Sequence, residues 1–118
     1  MKLLEKVGEG AAAVKANSLH LLAASNMFLG RFKEASKYEL LEVELSREIG
    51  DLKTLGNGLN SLGFQAYMQG DGEKAIGFYL EALEIAREIG NKSSEIMVTS
   101  NISGAKVLLG EYTAAERS

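Results

Sequence analysis

The chain has 118 residues, 46% of them hydrophobic and 25% charged, which is enough apolar material for one folded core and too much for wholesale disorder. Its net charge of -3, with basic residues scattered among acidic ones, argues against a nucleic-acid protein, whose affinity rests on clustered Lys and Arg. Without cysteine there is no disulfide or thiolate chemistry, and the longest apolar run, around Leu19 to Leu29, is broken by His20, Ser25 and Asn26 well short of the ~20 residues of a bilayer span. Met1 to Lys6 lacks the apolar stretch and cleavage site of a signal peptide, so a cytoplasmic location is expected, with no membrane partner.

Proline is absent, which leaves glycine as the main helix punctuation. The glycines form two interleaved series, Gly10, Gly50 and Gly90, and Gly30, Gly70 and Gly110, each stepping by 40 residues. Their flanks recur as well: Arg47-Glu48-Ile49-Gly50-Asp51 returns as Arg87-Glu88-Ile89-Gly90-Asn91. Ala35, Ala75 and Ala115 keep a fixed distance from the second series, and Leu22 and Leu62 match, with Ile102 as a conservative third. Such self-similarity marks a repeat array. A plain bundle does not need it, and glycines this frequent would interrupt coiled-coil heptads.

In chain order, residues 2–8 correspond to the tail of a helix that should stop at Gly10, as its counterpart stops at Gly50. Segments of about 19 residues, each long enough for a helix of ~27 Å, then run from glycine to glycine. Before Gly50, Glu39, Glu42, Glu44 and Glu48 crowd one segment and read as a solvated face, with Arg47 the attractive partner of Glu44. Leu55, Leu59, Leu62 and Ala66 predict an amphipathic helix before Gly70. Ala75, Ile76, Tyr79, Leu80, Ala82, Leu83 and Ala86 predict another before Gly90. Each glycine can take the left-handed conformation that closes a helix, and Asp51, Asp71 and Asn91 are suited to cap the next one. Connections of two or three residues force neighbouring helices antiparallel. The fold class expected is all-α.

Leu62-Gly63, Tyr67, Gly70, Ala75, Tyr79 and Ala82 together resemble the tetratricopeptide repeat signature. Tyr67 sits one place later than the commonest arrangement. Gly72 stands where an aromatic is usual, although Phe32 and Tyr112 supply it in the other repeats. The third repeat has Ser103 in place of Gly63, with Gly104 beside it. A period of 40 resembles the longer-helix variety of the family. The resemblance implies a right-handed superhelical solenoid of antiparallel helix pairs over residues 1–118. Residues 1–9 are then the tail of a preceding helix, 10–49 the first repeat, 50–89 the second and 90–118 a partial third. Because solenoids usually end in polar caps and neither end here reads as one, a fragment of a larger multidomain protein is expected, with self-association through the uncapped ends.

Catalytic chemistry finds little support in these residues. His20 is the only histidine, and Gly8-Glu9-Gly10 lacks the Lys-Ser/Thr of a phosphate loop. No loop gathers carboxylates, so no enzyme activity, cofactor or metal is expected. The resemblance places the first helix of each repeat on the concave side of the array. Helical offsets from Leu62 then turn Asn57, Asn60, Phe64, Tyr67 and Met68 toward the groove. In the first repeat they select Asn17, His20, Ala24, Met27 and Phe28, and in the third Met97, Ser100, Gly104, Val107 and Leu108. Asparagine can both donate to and accept from a peptide backbone, and the aromatic and methionine side chains can form apolar pockets. The expected function is a protein- or peptide-binding module, the alternative a ligand-sensing regulatory segment of a signalling or transcription protein.

Overall fold

The computed structural model describes the backbone of residues 2–117 and the side chains of residues 14, 15 and 17–110. The described chain is all α, in five helices: α1 (Lys2–Phe28), α2 (Phe32–Ile49), α3 (Leu52–Met68), α4 (Gly72–Glu88) and α5 (Lys92–Arg117). Gly30, Gly50, Gly70 and Gly90 all have positive φ, between 70° and 81°, a region that side chains with a Cβ rarely enter. Each closes a helix by the same pair of backbone bonds. At the α2 end Asp51 N–H donates to Ser46 C=O at 2.9 Å and Gly50 N–H to Arg47 C=O at 3.3 Å, and Asp71 and Gly70 repeat the pattern on Ala66 and Tyr67.

The residue after the glycine opens the next helix. Asp51 accepts from Thr54 N–H at 3.2 Å and from the Thr54 hydroxyl at 2.7 Å, Asp71 accepts from Lys74 N–H at 3.1 Å, and Asn91 from Ser94 N–H at 3.1 Å. Arg31, at the start of α2, makes no side-chain cap bond. Asp51→Ala should therefore cost about 1 kcal/mol, and Arg31→Ala no more than a few tenths. Urea midpoints of the two variants, read at unchanged slope, check this.

The stops expected at Gly10 and Gly110 are not made: α1 runs through Gly8 and Gly10, and α5 through Gly110. Ala11 and Glu111 follow these glycines, where Asp or Asn follows three of the four that do close a helix. Without a capping side chain the amides of a new helix have no ready partner. Ala11, Ala12 and Ala13 are the strongest helix formers, and a mid-helix glycine costs only about 1 kcal/mol.

Each helix packs on its chain neighbours, and α3 also touches α5, so the molecule is elongated, at 64 × 32 × 18 Å. The apolar core lies among α3, α4 and α5, with Leu59, Leu62, Tyr79, Val98 and Ile102 prominent and Val43 reaching in from α2. Tyr79 is buried because α3 offers it a glycine: a Cβ on Gly63 would lie 2.5 Å from the Tyr79 ring. Among the described residues no helix is long and apolar enough to cross a membrane.

Candidate functional site

The inward stripe of α4 is Ala75, Tyr79, Ala82, Leu83 and Ala86, all buried. One repeat earlier, α2 places Ala35, Glu39, Glu42, Val43 and Ser46 at the same positions, also buried. The stripe keeps its spacing and changes its chemistry. Glu39 stands where Tyr79 would, and Ala23 where Gly63 would. A carboxylate fills less space than a phenol ring, and beside it a cavity of about 320 Å³ opens between α1 and α3. His20, Ala23, Ala24, Met27 and Phe28 line it from α1, Glu39 from α2, and Ser61 and Gln65 from α3.

Polar groups crowd its floor. Glu39 is 1% exposed and Glu42 2%. The solvated acidic face expected for this helix is therefore corrected for these two residues: with Ala35, Val43 and Ser46 they lie on the packed side, whereas Glu44 and Glu48 are exposed. Arg47 pairs across to Glu81 of α4 at 2.7 Å rather than with Glu44. His20, whose side chain is 45% exposed, sets Nδ1 3.2 Å from Glu42 Oε2 and 3.8 Å from Glu39 Oε1. Burial, then the hydrogen bond to Glu42 and its charge, pushes the Glu39 carboxyl up to about 9. At neutral pH Glu39 thus keeps its proton and can donate it to Glu42. The Ser36 hydroxyl donates to Gln65 Oε1 at 2.6 Å. Glu39 Oε1 and Ser46 Oγ are buried with no hydrogen-bond partner among the described residues.

Of the residues expected on the binding face, His20, Ala24, Met27 and Phe28 come together in this cavity. Asn57 and Asn60 line a separate recess of about 20 Å³ bounded by α3, α4 and α5, with Met97 on its far side. Asn60 is partly spent between helices, accepting from Asn101 Nδ2 at 3.0 Å. Phe64, Tyr67 and Met68 are exposed on α3, at positions equivalent to Ala24, Met27 and Phe28 of α1. Asn17, Ser100 and Val107 are exposed, while Gly104 and Leu108 are half-buried.

Glu39, Glu42 and Gln65 are absent from the face expected from sequence, although Glu39 and Gln65 line the cavity beside it and Glu42 meets His20 at its edge. A signal for the two glutamates was present: Ala35, Glu39, Glu42, Val43 and Ser46 fit a single helical stripe, and that stripe aligns with the packed face of the next repeat. Neither a protein-family model nor a curated protein matches the chain.

Proposed function

We propose that the chain is a non-catalytic, cytoplasmic protein- or peptide-binding module, a right-handed tetratricopeptide-like solenoid. The observation that carries this reading is a set of exposed apolar side chains, Phe28, Phe64, Tyr67 and Met68, joined by half-buried Met27, at equivalent turns of α1 and α3 beside a cavity with a polar floor. Phe28 is 93% exposed, and grouped exposed apolar residues of this kind mark interaction surfaces. An extended segment laid across α1 and α3 would cover these side chains and put one of its own into the cavity. Asn17 and Asn57, one repeat apart and both exposed, would hold its backbone whatever its sequence.

The ligand-sensing reading has the cavity in its favour, since about 320 Å³ lies at the lower end of the range for small-molecule pockets. It leaves Phe64, Tyr67 and Met68 without a part. The peptide reading uses both features and is preferred.

Selection of displayed random peptides against the immobilised chain tests the proposal. Enriched peptides should lose about tenfold or more in affinity on Phe28→Ala and on Phe64→Ala, a change of ~1.4 kcal/mol. Both side chains are exposed, so melting temperatures should barely move. Failure to enrich any peptide, or binding indifferent to both substitutions, would overturn the reading.

A further inference from the structure

We propose that His20, Glu39 and Glu42 form a binding site for a divalent transition-metal ion of the zinc class, at the floor of the cavity between α1 and α3. From sequence no metal is expected here, because no loop gathers the carboxylates. The helices gather them instead.

The spacing suits the ion. One ligand atom from each of the three side chains lies within 4.8 Å of the other two. Tetrahedral bonds of about 2.0–2.2 Å place ligand atoms roughly 3.3–3.6 Å apart. The separations of 3.2 Å from His20 Nδ1 to Glu42 and 3.8 Å to Glu39 bracket that interval.

The second observation is the orphaned oxygen. Glu39 Oε1 belongs to a side chain that is nine-tenths and more buried, faces His20 Nδ1, and has no hydrogen-bond partner among the described residues. Leaving a buried acceptor unsatisfied costs about 1–3 kcal/mol, a cost that a bound cation removes. The oxygen lies against the bare backbone of Gly58 on α3, where an added Cβ would come within 3.2 Å of it.

Donor chemistry selects the class of ion. Binding would displace the Glu39 proton into solvent, after which two carboxylates balance a double positive charge, and an imidazole nitrogen favours zinc-class ions over magnesium and calcium, which prefer all-oxygen shells. Glu39 and Glu42 project from one face of α2 and His20 from facing α1, the arrangement by which helical bundles build metal sites. Three protein ligands leave a fourth position. A water or a donor from a bound segment can take it.

The test uses the full chain, stripped with a chelator and titrated calorimetrically with Zn2+, Mg2+ and Ca2+ in turn. Zn2+ should bind with one-to-one stoichiometry, at least about tenfold more tightly than the other two. Glu39→Gln, Glu42→Gln and His20→Ala should each weaken it by about tenfold or more. Co2+ should give the intense visible absorption of a four-coordinate ion, and the same substitutions should abolish it. His20 is half exposed, so its variant keeps the test decisive if a glutamate variant fails to fold. Absence of saturable Zn2+ binding would overturn the proposal. So would binding that survives the substitutions, which would assign the ion to surface carboxylates.

Discussion

Held in chelator and unfolded with urea, the chain should lose stability steadily as pH rises from about 5 to about 9, and Glu39→Gln should remove most of that loss. The Glu39 carboxyl titrates at about 9 in the folded chain against an ordinary value of 4.5. Between those values the folded chain holds a proton that the unfolded chain has released, so folding takes up a proton and rising pH opposes it. The contribution is complete below about 4.5 and is lost as pH climbs through about 9. Its slope cannot exceed about 1.4 kcal/mol per pH unit for one group. A glutamine in place of Glu39 would keep the shape of the side chain without its titration. The two chains should therefore match near pH 5, with the variant ahead by on the order of a few kcal/mol near pH 9.

Glu42 and His20 are the titratable groups facing Glu39, which gives the experiment an internal control. Burial is the larger cause of the raised value and Glu42 the lesser. Glu42→Gln should accordingly narrow the pH window from its upper end without closing it. Parallel stability curves for wild type and Glu39→Gln would show that Glu39 is not the group responsible.

The second large effect lies one repeat further on. Tyr79→Ala removes a ring that is 2% exposed and should cost about 3–5 kcal/mol. Gly63→Ala drives a methyl group to 2.5 Å from that ring and should cost about 1–3 kcal/mol through overpacking. The two changes should not add. Once the ring is gone the methyl group has room, and alanine is the better helix former by about 1 kcal/mol, so Gly63→Ala should stabilise the Tyr79→Ala background. A double-mutant cycle in urea measures this reversal of sign. Additive losses would mean that Gly63 matters for some reason other than the ring.

The same pair explains why the cavity sits where it does. Ala23 and Glu39 occupy the places of Gly63 and Tyr79, so the α1–α2 pair has neither the ring nor the slot for one. From the repeat frame alone the substitution of Tyr79 by Glu39 is readable. Its consequence is not, because a glutamate at that position could equally have turned outward had α2 been rotated by a fraction of a turn. Burial of Val43 and Ser46 beside it fixes the rotation, and only packed helices show that.

The helices and the way they end are properties of the sequence by itself. Amphipathic spacing, left-handed glycines at 30, 50, 70 and 90, and Asp51, Asp71 and Asn91 immediately after three of them act within a few residues of chain, so a local pattern is enough to read them. The expected breaks at Gly10 and Gly110 show the limit of a period without its local partner: the glycine recurs, the capping residue does not, and the helix continues. What only the tertiary structure decided is the meeting of His20 with Glu39 and Glu42, the burial of two carboxylates on a helix rich in acid, and the cavity above them. Those features depend on which turn of α1 lies against which turn of α2. That register is set by the summed packing of many side chains on both helices, and no short stretch of either carries it.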